Sequence, residues 1–148
     1  MRAEGVPVFS SVVVGTDGSD SAAEAVRSAT EVAKMFSATL HIVTVYKPRP
    51  VRSSGVPDEF RHQLGPGGVA EALLDDQCAR ARAAGVAVEG HTETGDPAEA
   101  LVRVAEQERA DLIVVGNRGM AGVRRVLGSV PNSVAHQAPC AVFIVQTT

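Results

Sequence analysis

The chain has 148 residues, the length of one ordinary domain with a core of ordinary size, and 1–148 is read as a single domain. Its formal net charge of -3, from Lys+Arg 14 against Asp+Glu 17, gives no general attraction to nucleic acid or anionic lipid, and 3% aromatics with no Trp leave little surface for stacking bases. No run approaches the roughly 20 apolar residues of a spanning helix, and the amino-terminal tail MRAEGVPVF (1–9) lacks a signal-like apolar core, so neither nucleic acid nor membrane is an expected partner and a cytoplasmic location is expected.

The run SVVVG at 11–15 is the first strand expected. Residues 20–36 then place Ala22, Ala25, Val26, Ala29, Val32, Ala33 and Phe36 at three- and four-residue intervals, the period of one buried helical face. Ser21 followed by Glu24 forms a capping-box pattern at its start. The run TLHIVTVY at 39–46 is a second strand. Residues 47–68 carry four of the 8 prolines among mixed charges and read as a long surface loop, serving as a lid, a partner site or a tolerated insertion.

A second helix is expected from 69 to 84, burying Val69, Ala70, Leu73, Leu74 and Cys78, with Gly85 as the left-handed residue past its end. VAVEGHTE at 86–93 is a third strand. In Asp96-Pro97-Ala98-Glu99, Asp96 can cap a third helix and Pro97 needs no N–H donor in its first turn; that helix ends near Arg109. DLIVVG at 111–116 is a fourth strand. A fourth helix starts around Ser129 and must end before Pro139, which biases Ala138 toward extended geometry ahead of a fifth strand, AVFIV at 141–145. Strands alternating with helices call for right-handed crossovers and an open five-stranded parallel sheet covered on both faces, an α/β fold.

Cys78 and Cys140 form no CxxC pair, which suits a reducing compartment and a role as buried small hydrophobes. His41, His62, His91 and His136 are scattered, with neither an i, i+4 pair nor HxH spacing, so their spacing points to no metal site.

In an open parallel sheet, ligands bind beyond the carboxyl ends of the strands, where neighbouring crossovers leave on opposite faces. Two segments qualify: GTDGSDS after the first strand, and GNRGMAGVRRVLGSV at 116–130 after the fourth. Gly116 and Gly119 permit positive φ and a close backbone approach, so successive N–H groups can cradle anionic oxygens. Gly128-Ser129 opens a helix and offers free N–H groups, the positive dipole end and a hydroxyl to the same anion. The plainer alternative is a tight turn followed by an ordinary serine cap. Asp17 can accept from ribose hydroxyls, hold a Mg²⁺ that accompanies phosphates, or close an Asx turn that caps the next helix. Arg118, Arg124 and Arg125 read as a solvated face and stay outside the primary site.

Neither GxGxxG nor GxxxxGK[ST] occurs, so no P-loop lysine is available for fast phosphoryl transfer. A receiver-domain phosphoacceptor role for Asp17 would need an Asp ending the third strand and a Lys ending the fifth, where this chain has HTE and VQTT.

VVVGTDGSDSAAEAV, ADLIVVGNRGMAGVRRVLGSVPNSVAHQAPCAVFIV and the spacing of the five strands resemble the universal stress protein family, across nearly the whole chain. The resemblance implies an adenine-nucleotide-binding, Rossmann-like α/β fold with strand order 3-2-1-4-5. The ATP-binding branch of that family carries G-x-x-G, nine residues, then G-[ST]; here Gly119 and Gly128 enclose eight, MAGVRRVL. Carried over by position, Thr16 and Asp17 would hold the ribose, the Val45 backbone the adenine edge, and Val115 the base or sugar face. Gly116, Asn117, Gly119, Gly128, Ser129 and Val130 would line the phosphates. The resemblance also implies a homodimer through the last strand (141–146), which would cover an edge where Phe143 and Ile144 risk exposure.

The first functional expectation is therefore a stress-response or regulatory module that binds ATP, or a related nucleotide such as cyclic AMP, with at most slow hydrolysis. No catalytic residue is assigned, because no positioned base, P-loop lysine or metal cluster stands out. The alternatives are a nucleotide-free dimeric interaction module, favoured by the shortened loop, and an ATP-pyrophosphatase-like adenylating enzyme. DGSDS at 17–21 partly resembles the SGGxDS loop of that last class.

Overall fold

Four apolar, β-branched runs and a more polar fifth run form one parallel sheet in a computed structural model that describes residues 8–48, 65–117 and 130–146. The strands are β1 (Ser11–Thr16), β2 (Thr39–Tyr46), β3 (Ala87–Thr94), β4 (Leu112–Gly116) and β5 (Ala141–Val145). Their order is β3-β2-β1-β4-β5, as the family resemblance implies. The helices between them are α1 (Asp20–Phe36), α2 (Pro66–Ala83), α3 (Pro97–Gln107) and α4 (Val130–Gln137).

Side chains alternate across each strand, so the sheet builds two separate cores. Val12, Val14, Leu40 and Ile42 pack on one face against α1 and α2, which contribute Ala25, Ala29, Ala33, Leu74 and Cys78. Val13, Val43, Ile113 and Val115 pack on the other face against Leu101, Val104 and Ala105 of α3 and Val134 of α4. Val13, Val14, Ile42 and Ile113 are fully buried, as central strands covered on both faces require.

The amino ends of β1 and β4 are tied by one carboxylate. Asp111 Oδ2 accepts from the Ser10 N–H and hydroxyl at 2.8 Å and from the Ser11 N–H at 3.0 Å. Ser11 in turn donates its hydroxyl to the Glu108 carbonyl just past α3.

Local structure departs from the sequence expectations at three points. The residue that caps α1 is Ser19, not Ser21: Ser19 is extended (φ -73, ψ 162) and its Oγ accepts from Ala22 N at 3.1 Å. Ser21 already lies inside the helix and is buried, because the turn at Thr16–Gly18 fixes where the helix begins.

The second departure is that α2 starts at Pro66, inside the stretch assigned to a loop, with the proline in the first turn where its missing N–H costs nothing. The third is Val69, which is 65% exposed. The buried stripe of α2 runs through Ala70, Leu74, Cys78 and Ala81, and Val69 falls one position off it. Gly85 does adopt the left-handed conformation expected past the helix, at φ +91, and Asp96 caps α3 by accepting from Glu99 N at 3.0 Å.

Candidate functional site

The crossovers through α1 and α2 cover one face of the sheet, and those through α3 and α4 cover the other. The reversal falls between the neighbouring strands β1 and β4, so the crevice that such folds use for ligands opens beyond Thr16 and Gly116.

On the β1 side, Thr16 is fully buried and its Oγ1 accepts from Gly18 N at 3.2 Å. Asp17 follows, exposed at the rim, with Oδ1 accepting from Ser19 N at 2.9 Å. This is the Asx turn that the sequence allows, and it engages one carboxylate oxygen while leaving the side chain at the mouth of the crevice. Gly18 has φ +83, a conformation that a side chain would strain, and a Cβ placed on it would meet Leu73 of α2 at 3.4 Å.

On the β4 side, Val115 and Gly116 are buried and Asn117 donates its backbone N–H to Val145 O at 2.9 Å. Val45, half-buried near the end of β2, borders the same end of the sheet. Val130 is half-buried where α4 begins. The structure therefore brings Thr16, Asp17, Val45, Val115, Gly116 and Asn117 to one end of three adjacent strands. Gly119, Gly128 and Ser129 lie outside the described residues, as do the three arginines between Asn117 and Val130.

One polar group near the crevice carries no signal in the sequence. Thr16, Thr44 and Thr92 are register partners across β1, β2 and β3, and all face α1 and α2. Thr44 is buried, and its Oγ1 has no hydrogen-bond partner among the described residues. Leaving such an oxygen unsatisfied costs about 1–3 kcal/mol. In the sequence Thr44 is one β-branched residue within an apolar run, so nothing separates it from strand filler.

A second polar group forms on the α3 face, toward the amino end of the sheet. His41 Nδ1 stands 3.0 Å from His91 Nε2 and 3.4 Å from Glu89 Oε2. Burial, helped by the neighbouring His91, pushes the His41 pKa below its ordinary value, against the opposing pull of Glu108 and Glu89. The histidines are thus not all scattered: two of them, 50 residues apart, meet across neighbouring strands.

Cys78 and Cys140 are free thiols. Burial raises both pKa values, with Asp111 adding to the effect at Cys140, and this suits packing rather than reactivity. A groove of about 390 Å³ between α1 and α2, lined in part by Arg27, Lys34 and Arg80, lies on the outer helical face and contains none of the crevice residues. The strand ends are the better candidate because they lie where the crossovers change face, the place such folds use for ligands.

The family model for the universal stress protein family matches residues 9–146. The chain belongs to this family. A universal stress protein of Mycobacterium tuberculosis strain H37Rv is 41% identical over 145 residues, covering 95% of this chain and 98% of that protein. Universal stress protein YxiE of Bacillus subtilis is 33% identical, covering 94% and 100%.

Among solved structures, a universal stress protein crystallised in complex with cAMP is 36% identical, with a TM-score of 0.72 over 95% of this chain and 98% of that one. A protein solved as a structural-genomics test case superposes at a TM-score of 0.76 with 21% identity, a likeness of fold alone. Among the described residues, no helix is long and apolar enough to cross a membrane.

Proposed function

We propose that this universal stress protein is a regulatory module that binds an adenine nucleotide in the crevice between the carboxyl ends of β1 and β4. One observation carries the reading: Thr16-Asp17-Gly18 and Gly116-Asn117 meet at the point where the crossovers change face. Asp17 accepts from ribose hydroxyls, the Val45 backbone meets the adenine edge and Val115 meets the base or sugar. The G-x-x-G turn, with Gly128, Ser129 and Val130, receives the phosphates.

ATP is the first candidate. A Mg²⁺ accompanying its phosphates would draw on the exposed Asp17 carboxylate. Cyclic AMP is the second candidate, and the 36% identical relative crystallised with cAMP supports it. Hydrolysis is at most slow, since no P-loop lysine is present. The expected setting is a cytoplasmic stress response, with the whole chain acting as one domain.

The protein pairs with a second copy through residues 141–146. Support comes from the contrast between the two sheet edges. β3 carries Glu89, His91 and Glu93, charges and a polar ring that discourage edge pairing, whereas β5 is AVFIV with Phe143 and Ile144 42% and 45% exposed.

Calorimetric titration with ATP and with cyclic AMP tests the nucleotide reading. Wild type gives saturable heat with at least one of them. Asp17→Ala weakens it at least about tenfold, as loss of a hydrogen bond to a charged group worth about 1.5–3 kcal/mol requires, and Gly116→Ala weakens it by placing a methyl group in the buried crevice floor. Negligible heat throughout would sink the nucleotide reading and leave the dimeric interaction module.

A further inference from the structure

We infer that His41, Glu89, His91 and Glu108 form a binding site for a divalent first-row transition metal, Zn²⁺ in the first instance, on the α3 face of the sheet and away from the nucleotide crevice.

The strand geometry assembles three of the four ligands. Neighbouring strands lie about 4.8 Å apart and alternate residues share a face. His41 on β2 is the direct register partner of Glu89 on β3, and His91 stands two residues further along β3 on the same face. Glu108, at the carboxyl cap of α3, supplies the fourth group from above the sheet. One donor atom from each of the four residues lies within 4.8 Å of every other.

Two of the six donor–donor separations already match a small tetrahedral ion, and the others, all within 4.8 Å, close as the side chains draw in around it. Two ligands that each sit about 2.0–2.1 Å from zinc are about 3.3 Å apart along a tetrahedron edge. The two separations from His41 Nδ1, 3.0 Å to His91 Nε2 and 3.4 Å to Glu89 Oε2, bracket that value.

Hydrogen bonding alone leaves the cluster short of protons. A neutral imidazole carries one N–H, so His41 Nδ1 can serve either His91 Nε2 or Glu89 Oε2, while the Glu108 carboxylate adds further lone pairs. If His91 donates instead, His41 Nδ1 presents a lone pair toward Glu89. A single divalent cation satisfies all four donors and offsets both carboxylate charges. Burial favours the neutral form of His41, the state in which imidazole binds a metal. The carboxyl end of α3 adds its negative dipole end to the same point.

Two imidazoles and two carboxylates suit Zn²⁺ better than Mg²⁺ or Ca²⁺, which take oxygen ligands. With four protein ligands the site is of the closed, structural kind, and it joins the edge strand β3 to β2 and to the end of α3. Its occupation stabilises the folded chain by mass action, because the unfolded chain holds no preformed site.

The test uses the full chain, stripped of metal with a chelator and free of nucleotide. Titration with Zn²⁺ by calorimetry, and with Co²⁺ by its visible d–d absorption, is run on wild type, Glu89→Gln, His91→Ala and His136→Ala. Glu89 is largely exposed, so Glu89→Gln keeps the fold, and far-ultraviolet circular dichroism checks each variant.

Wild type and His136→Ala are expected to bind one equivalent of Zn²⁺ and show the intense absorption of four-coordinate Co²⁺. Binding by Glu89→Gln falls at least about tenfold, since even outer-shell partners are worth 10–100-fold in metal affinity. At the same Zn²⁺ concentration the thermal midpoint of wild type rises more than that of Glu89→Gln. Absence of saturable Zn²⁺ binding to wild type, or equal affinity in wild type, Glu89→Gln and His91→Ala, overturns the inference.

Discussion

Gly90 of β3 lies so close beneath Leu74 of α2 that a Cβ placed on it would sit 2.9 Å from Leu74 Cγ and Cδ2, and 3.1 Å from Cys78 Sγ. The glycine is what lets α2 settle on the edge of the sheet. Gly90→Ala would push Leu74 out of its place in a close-packed interior, at a cost of about 1–3 kcal/mol. Urea unfolding followed by circular dichroism checks this: the midpoint falls while the slope stays that of wild type. A midpoint equal to that of wild type would mean that α2 rides loosely on β3.

The buried His41 makes stability depend on pH. Its folded pKa lies below the ordinary value of 6.5, so the unfolded chain binds the proton more readily than the folded one. The groups facing it are His91, Glu89 and Glu108, and the two carboxylates oppose the shift without cancelling it. The contribution is complete above pH 6.5 and is lost as the pH falls through the lowered folded value. Unfolding free energies of metal-stripped protein, measured from about pH 8 to about pH 5, are expected to decline more steeply in wild type than in His41→Asn, which has no titrating ring at that position. Parallel curves would remove His41 as the cause.

Ile144 sits on the exposed side of an uncharged edge strand. Ile144→Lys places a charge there, which blocks strand addition without touching the core. Sedimentation velocity is expected to report a dimer for wild type and a monomer for Ile144→Lys, each with an unchanged circular dichroism spectrum. A dimer in both would move the interface elsewhere.

The strands and helices were legible because four of the five strands are dense apolar runs and the helices between them repeat every three to four residues, whereas the strand order came from the family resemblance. β2 and β5 match their runs residue for residue. Errors arose where local chemistry competed. Ser19 and Ser21 both resemble caps, and only the Thr16–Gly18 turn decides between them. The Gly-Pro-Gly-Gly stretch ending the long loop has the composition of a coil, yet Pro66 opens α2.

Gly119 and Gly128 lie outside the described residues, and of the candidate crevice residues that are described, Asp17 and Gly116 were visible as deviations from strand and helix patterns. Thr44 and the His41–His91 pair were not. Their significance comes from register between strands 50 residues apart, and a scan for ligands at helical or adjacent spacing cannot see an E-x-H on one strand facing a histidine on the next.

The Asp111 clamp gives the sheet a fixed end and an open end. At the amino side, one carboxylate holds Ser10 and Ser11, and the Asp111 backbone N–H returns a 2.8 Å bond to Ser11 O, so β1 and β4 cannot part there. Beyond the clamp the two strands stay in register from Val12 and Leu112 to Val14 and Val114. A ligand at Asp17 and Gly116 would therefore meet the end of this strand pair that lies farthest from the clamp.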